Sequence, residues 1–429
     1  MTDFAPNEDL VEGDRVEVTV GAPAHGGHCV ARVGGPHGRV VFVRHALPGE
    51  RVTAEITEIH RGYLRADAVE IHEPSPDRVT PPCRFAHPGG CGGCDLQHVS
   101  DDAQLRWKTE VVREQLTRLA GINPEDLSVR VEALPAAPDR TGSRLLGWRS
   151  RVRYAVDALD RPGLLQHRSH QVVPIDRCVI AHPAVQNLDL LSRTWPEADS
   201  LQAVASTGGD VAVLARKGVV AADDLGDAAA GGGLTRIAGP DQVTEVAGGR
   251  AWSIPPEGFW QVHPAAADTL VTTVLKMLQP AAGEVSWDLY GGAGLFAAAL
   301  AERTGARTTV VESSPTGVAA ARRNLAGLPH AEVVSAKVDT ALSRRRVTGP
   351  VDLIVLDPPR AGAGAKVVRA VAASGARAVA YVACDPAALA RDLKTFRGAG
   401  WEAVEIRAFD CFPMTQHVEC VALLLPAGD

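Results

Sequence analysis

The sequence has no run of about 20 uninterrupted apolar residues, the minimum for a helix that crosses a bilayer. A membrane span is therefore not expected. The first residues, MTDFAPNEDLVEGD, are acidic and polar and lack the charged-then-apolar build of a leader, so the cytoplasm is the expected compartment. A basic excess is missing too. The net charge is -7, which gives no overall attraction for nucleic acid. Eight cysteines in 429 residues do not suggest a disulfide framework.

What is present fits a soluble globular chain, 45% hydrophobic and 22% charged, long enough for two or three domains. Residues 9–72 break into short β-branched runs separated by glycine and proline, such as DRVEVTVG and GRVVFVRHALPGE. That spacing predicts a small β-barrel over residues 1–72. A proline cluster, EPSPDRVTPP, follows as a linker. Residues 101–120 have helical spacing, ending at Gly121 with Pro124 beyond. With mixed strand signals and a glycine-rich loop at 231–233, residues 73–255 make a central α+β domain. Residues 140–153 carry five arginines and no acid. This strip is either a solvated face or a phosphate-contacting one.

From residue 256 to 429 strands alternate with alanine-rich helices: VSWDLY, RTTVVE, AEVVSAKV, VDLIVLD and RAVAYVAC. Such alternation implies a parallel sheet covered on both faces. The last two strands, WEAVEIRAFD and HVECVALLL, are joined only by CFPMTQ, too short for a parallel crossover. They must pair antiparallel. A parallel sheet closed by a reversed final strand predicts an α/β class I (Rossmann-like) methyltransferase domain with a seven-stranded mixed sheet.

Asp288-Leu-Tyr-Gly-Gly-Ala-Gly294 ends the first of these strands and opens a helix, with Glu312 ending the next strand. Glycines let a ligand approach the backbone, and an acid at the second strand end can accept from ribose hydroxyls. The same residues satisfy a relaxed dinucleotide fingerprint, so an NAD-dependent oxidoreductase competes at this point. The reversed strand favours a methyl donor. Asp357-Pro-Pro-Arg360 has arginine where amine methyltransferases keep an aromatic ring. Cys384 ends the following strand in Tyr381-Val-Ala-Cys-Asp-Pro386. A cysteine there is commonly packing, but ligands of open α/β sheets bind at the carboxyl ends of the strands. Gly291, Glu312, Asp357 and Cys384 share that edge, and the reversed strand brings His417 and Glu419 to it. A thiol that adds to carbon 6 of uracil makes carbon 5 nucleophilic, and a base must then remove the carbon-5 proton. Cys384 and Glu419 fit these roles, with His417 as second choice for the base.

Phe259-Trp-Gln-Val-His263, the glycine turn 288–294, Asp357-Pro-Pro-Arg360, Tyr381-Val-Ala-Cys-Asp-Pro386 and Phe412-Pro-Met-Thr-Gln-His-Val-Glu419 occur in that order. Together they resemble the motifs of the RNA 5-methyluridine (uracil-5) methyltransferases. Residues 1–72, with Leu47-Pro-Gly-Glu50, are similar to that family's RNA-binding TRAM domain. The resemblance implies S-adenosyl-L-methionine held by Gln261, Tyr290, Glu312 and Asp357, with Asp339 a weaker candidate for the adenine. It implies nucleophilic attack by Cys384, proton abstraction by Glu419, and ribosomal or transfer RNA as partner to a monomer. Three departures stand out. His263 replaces a usual asparagine, Asp385 stands where Cys-Asn-Pro is usual, and Leu295 or a neighbour takes the place of an asparagine after the glycine loop. A non-catalytic RNA-binding module is the competing class.

Cys83, Cys91, Cys94 and the distant Cys178 supply four thiolates. Four cysteines suit tetrahedral zinc or an iron–sulfur cluster. Among these the resemblance, with Gln97-His98 after Cys91-Gly-Gly-Cys94, implies a [4Fe-4S] cluster.

Overall fold

The computed structural model describes residues 10–135, 143–218 and 233–428. Arg140 of the arginine strip and Gly231 and Gly232 of the glycine loop lie outside the described residues.

In Arg15–Thr19 every second side chain is buried, the mark of a strand with one face on a core. This strand and Pro23–Ala24, His28–Val33, Arg39–Arg44, Arg51–Ile59 and Tyr63–Glu73 form one six-stranded sheet. The chain at residues 15–24 serves both edges. Arg15–Thr19 pairs with residues 51–55, while the Gly21 N–H donates to Val30 O at 2.7 Å and Pro23–Ala24 pairs with residues 28–29. The sheet therefore curls around a core that includes Val16, Val41, Val52 and Leu64.

That core does not end with the sheet. Trp107 and Val111, on one face of the helix Asp101–Gln115, belong to it. Val112, with Leu116 and Ala120 in the π turn Leu116–Ala120 that follows, packs instead on Leu389, Leu393 and Phe396 of the C-terminal region. Gly121 ends this segment at φ 62°, a left-handed stop that glycine adopts without strain. The helix is a wedge shared by two domains.

Between them, residues 151–238 contribute a six-stranded antiparallel sheet, followed by the hairpin Val243–Ala247 and Arg250–Ile254. Two arginines of the strip 140–153 are committed to acids. Arg151 is buried and donates to the Pro256 and Gly258 carbonyls and to Glu245. Arg144 pairs with Asp410 and Asp101.

The C-terminal sheet runs in the spatial order Ala331–Ser335, Thr308–Glu312, Ser286–Leu289, Leu353–Leu356, Ala378–Ala383, Glu419–Pro426, Trp401–Asp410, Val131–Ala133. Only Glu419–Pro426 is antiparallel to its neighbours. Thr308–Glu312, Leu353–Leu356 and Ala378–Ala383 are buried throughout, as strands covered on both faces must be. The order differs from that of dinucleotide-binding dehydrogenases by the reversed strand inserted before the last long one. The sheet has eight strands, not the expected seven. Trp401–Asp410 would otherwise leave its outer ladder unpaired, and Val131–Ala133 fills it in parallel. Three residues carry too little periodicity to announce a strand. Asp339 is also displaced from expectation. The third strand stops at Ser335, and Asp339 lies in the helix Val338–Ser343, paired with Lys366 at 3.4 Å. No helix of the described residues is long and apolar enough to cross a membrane.

Lys108 is fully buried in the wedge helix, 2.5 Å from the equally buried Asp410, and also donates to Phe412 O at 3.0 Å. Burial presses the Lys108 ammonium below its ordinary value, with Asp410 opposing. Burial would raise Asp410, but Lys108 and Arg144 together hold it below the usual carboxylate range. Removing one partner of such a pair strands the other, so Asp410→Ala should lower unfolding free energy by about 3–5 kcal/mol. Urea unfolding with an unchanged m-value measures it, and a loss under about 1 kcal/mol would show that the pair contributes little net stability.

Candidate active site

The site is assembled by register. Leu289 pairs with Val311 and with Leu356, and Leu356 with Tyr381. The residues just beyond these pairs, Tyr290, Glu312 and Asp357, and Cys384 just past the end of the strand Ala378–Ala383, therefore emerge along one edge. Ala383 pairs with Cys420 and Phe409 with Glu419 at the start of the reversed strand. Glu419 thereby reaches the rim from the opposite chain direction, and it is 3% exposed.

The turn after Leu289 is shaped for close approach. A Cβ on Gly291 would fall 2.6 Å from Val310 Cγ1, so a side chain there cannot fit. Gly294 has φ 90° and starts the helix Leu295–Thr304. Glu312 spans the crevice, accepting from Gly292 N–H at 2.9 Å and Ser314 N–H at 2.6 Å. Asn324 braces the turn from the side, donating to Ala293 O at 3.5 Å and accepting from Ser253 N–H at 2.9 Å. Nothing in the sequence pattern marked Asn324.

Asp288 was visible in sequence only as a strand end. It is fully buried, and one carboxylate oxygen accepts from Ala297 N–H at 2.9 Å while the other has no partner. Burial, with Glu312 nearby, raises its carboxyl to about 7. Asp357 is likewise raised to about 7, by burial first and then by Asp288 and Glu312. Glu419 is pushed well above the ordinary carboxylate range by burial and by Asp357, against the pull of Arg360. Like charges crowd here with little water to screen them. A cationic or hydroxyl-bearing ligand would relieve both the crowding and the orphaned Asp288 oxygen.

Cys384 is partly exposed at the tip of its strand. Burial raises its thiol to about 12, with Glu419, Asp357 and Asp385 adding to the shift and Arg360 opposing it. The helix Pro386–Arg397 that follows should favour a thiolate at its N-terminus, but burial and three acids outweigh it. Asp385 caps this helix through Ala388 N–H at 2.7 Å. His417, the second choice for base, is lowered to about 3, by burial first and then by Arg360 and other cations. Its ring sits edge-on to Phe412 at 5.9 Å.

Of the remaining predicted residues, Tyr290 lines the turn at φ 66°. Gln261 is 8% exposed. His263, buried, accepts from Ala265 N–H at 3.2 Å and stacks on Trp148. Phe259 of the same motif is 54% exposed.

Cys83, Cys91, Cys94 and Cys178 line a single cavity with Gln97 and Arg149. All eight cysteines are free thiols. Burial raises Cys91, Cys94 and Cys178, with neighbouring cysteines adding to each. Among the described residues no group of three His, Cys, Asp or Glu converges closely enough to hold one metal ion. The four thiols thus ring a cavity rather than meet at a point.

Comparison with known proteins adds the following. Residues 10–69 match the TRAM domain, and residues 347–426 match tRNA (Uracil-5-)-methyltransferase. An uncharacterized RNA methyltransferase of Streptomyces avermitilis is 49% identical, covering 97% of this chain and 99% of that protein. One from Bifidobacterium longum is 38% identical over 97% and 99%. Among solved structures, the tRNA (uracil-54, C5)-methyltransferase of Pyrococcus abyssi in complex with S-adenosyl-L-homocysteine has a TM-score of 0.69. It covers 95% of this chain and 99% of its own at 23% identity, which shows the shared fold.

Replacing Asp288 with asparagine removes one charge from the crowd, so Asp357, which Asp288 helps to raise, should ionise more readily. Carboxyl carbon NMR of the ligand-free protein should then find Asp357 titrating below about 7, by about one unit. An unmoved Asp357 would mean that burial and Glu312 set it without Asp288.

Proposed function

The chain belongs to the RNA methyltransferase family of these relatives, and we propose that it methylates carbon 5 of a uridine in structured RNA. The observation that carries this reading is the meeting of Cys384 and Glu419, from adjacent strands of opposite direction, at the rim of the acidic crevice.

The methyl donor in this reading is S-adenosyl-L-methionine, which supplies an electrophilic methyl on a sulfonium. The residues fit it. Glu312 and the unpartnered Asp288 oxygen offer acceptors to ribose hydroxyls and the amino-acid tail, with Tyr290 in the turn beside them, and the motif residue Gln261 is proposed to bind the donor as well. Asp357 places negative charge beside the cation. Cys384, as thiolate, adds to carbon 6 of the uracil ring, and carbon 5 becomes nucleophilic and takes the methyl. Glu419 then accepts the carbon-5 proton, and β-elimination returns the thiolate. A carboxyl raised by burial is a stronger base than an ordinary one, and an imidazole lowered to about 3 is a weaker one, which favours Glu419 over His417. The TRAM domain supplies RNA contact in this reading, and the enzyme works as a monomer in the cytoplasm.

The four cysteines are proposed to hold a [4Fe-4S] cluster. A single zinc draws four ligands to about 2.3 Å from one point. The four cysteines line one cavity, and the family resemblance favours a cluster there over a single zinc. As isolated without oxygen, the protein should contain iron and acid-labile sulfide. A fully active preparation holding zinc alone would refute the cluster.

The two reacting groups act at opposite ends of one cycle, so their loss should fail differently. Cys384→Ala should form no protein–RNA adduct. Glu419→Gln should accumulate a methylated adduct that survives denaturing electrophoresis and carries label from the donor. His417→Ala should slow turnover without trapping it. Methylation by Cys384→Ala would end the covalent mechanism, and mapping 5-methyluridine in RNA from cells with and without the protein locates the target.

Charge linkage gives a further check. In the ligand-free protein Asp288 and Asp357 hold protons that the unfolded chain sheds above about pH 4, so they cost stability as pH rises towards about 7. A cationic donor favours their ionised forms. Its binding should release protons and tighten between pH 6 and 8, roughly up to tenfold per proton released. Calorimetry in buffers of different ionisation enthalpy measures the release, and pH-independent affinity would contradict it.

A further inference from the structure

The N-terminal sheet touches the catalytic rim through one tight turn. Residues 25–27 link Pro23–Ala24 to His28–Val33, with Gly26 and Gly27 at φ 104° and 77°. Only glycine accepts that backbone readily. The turn is pinned at three points. His25 Nε2 lies 2.9 Å from Asp385 Oδ2. Gly26 N–H donates to Gln416 Oε1 at 3.2 Å. Gly27 lies so close to Asp95 that an added Cβ would fall 2.8 Å from that side chain. Asp95 in turn accepts from Gln416 N–H at 3.1 Å and faces Arg44 of the sheet at 3.7 Å. Contacts of its turn with Asp95 and Gln416 thus hold the imidazole beside the residue that follows the nucleophile.

We propose that His25 is a positioning residue for Cys384: it engages the Asp385 carboxylate and lessens that charge's opposition to formation of the thiolate. The proposal rests on the reading of Cys384 as nucleophile. Both Asp385 oxygens are committed, Oδ1 to Ala388 N–H and Oδ2 to His25. Burial would raise the Asp385 carboxyl, yet the hydrogen bonds from His25 and Ala388 hold it below its ordinary value. It is therefore an anion at neutral pH, one residue from the thiol, and it adds to the electrostatic load on that thiol. The other charged and titratable groups facing it are Arg391 on its own helix and Cys420 on the reversed strand. Neither is a fixed hydrogen-bond partner of Oδ2. Asparagine, usual at this position in the resembling family, would cap the helix with no charge to offset. This chain has the acid, and with it a histidine from another domain. Correct docking of the N-terminal sheet then becomes a condition for an active nucleophile, and not only for RNA contact.

The test reads the thiol directly, without RNA or methyl donor. Full-length protein is treated with iodoacetamide across pH 6 to 10, and mass spectrometry follows the tryptic peptide 378–391, whose only cysteine is Cys384. His25→Ala should move the alkylation profile to higher pH by about one unit, with about tenfold slower reaction at pH 8. His25→Gln, which can still donate to Oδ2, should recover most of that shift. In Asp385→Asn protein the further change His25→Ala should move nothing, because the charge being offset is gone. An unshifted profile in His25→Ala overturns the proposal. So does an equal shift in the Asp385→Asn background, which would mean that the turn acts through packing or a displaced domain. The nucleophile assignment is judged separately: methylation by Cys384→Ala would sink it whatever the alkylation profiles show, and the positioning role would fall with it.

Discussion

Lys108 is the residue on which the arrangement of this enzyme most depends. A buried ammonium is tolerated only with a near anion, and the anion is Asp410, the last residue of the strand beside the reversed one. The pair fixes the wedge helix to the sheet at the point where the chain leaves for the base-bearing segment. Lys108 also donates to Phe412 O, and Gln104 one turn earlier accepts from Met414 N–H at 2.9 Å. Met414 O accepts from Asp95 and Leu96 N–H of the cysteine loop. Residues 410–416 are thus held from two sides by backbone and buried polar contacts before the chain turns into Glu419. A carboxylate proposed to take a proton from a ring carbon, as Glu419 is, cannot sit on a mobile loop. Here the rigidity comes from outside the catalytic domain.

This explains what could and could not be read from sequence. The parallel strands were legible because burial on both faces leaves continuous apolar runs, and because a six-residue link forbids a crossover. From those two facts the shared edge of Glu312, Asp357, Cys384 and Glu419 followed. The strand Val131–Ala133 was not legible, since it gains its pairing only from an edge left open some 270 residues later. The partners of two arginines in the strip were hidden for a related reason. Composition counts charge but not its partners, and Arg144 and Arg151 are committed to Asp410 and Glu245. The contact of His25 with Asp385 spans 360 positions and has no periodic signature at all.

Electrostatics gives the site its character. Asp288, Glu312, Asp357 and Glu419 form a line of carboxyls in low dielectric, ending at a thiol raised to about 12. Arg360 is the cation that acts on both Cys384 and Glu419, and it lies exposed. Taken alone this is a poor environment for a nucleophile. It is a good one for a cation whose arrival makes every carboxyl easier to ionise and the thiolate less costly to form.

In the proposed reading the same field orders the events. While the crevice lacks a positive charge, the Cys384 thiol stays protonated and Glu419 holds its proton. A bound sulfonium would offset the acids that raise the thiol, so the nucleophile gains strength when a methyl group is at hand to be transferred. Asp385 is the acid such an arrangement cannot relieve, since it faces away from the crevice into the helix cap and the turn of the N-terminal sheet. Its charge is met locally, by a ring of the domain that binds RNA in the proposed reading. In that reading activation of Cys384 depends on two conditions of different origin. Charge in the crevice is set by the donor, and charge at the helix cap is set by the docking of a separate sheet.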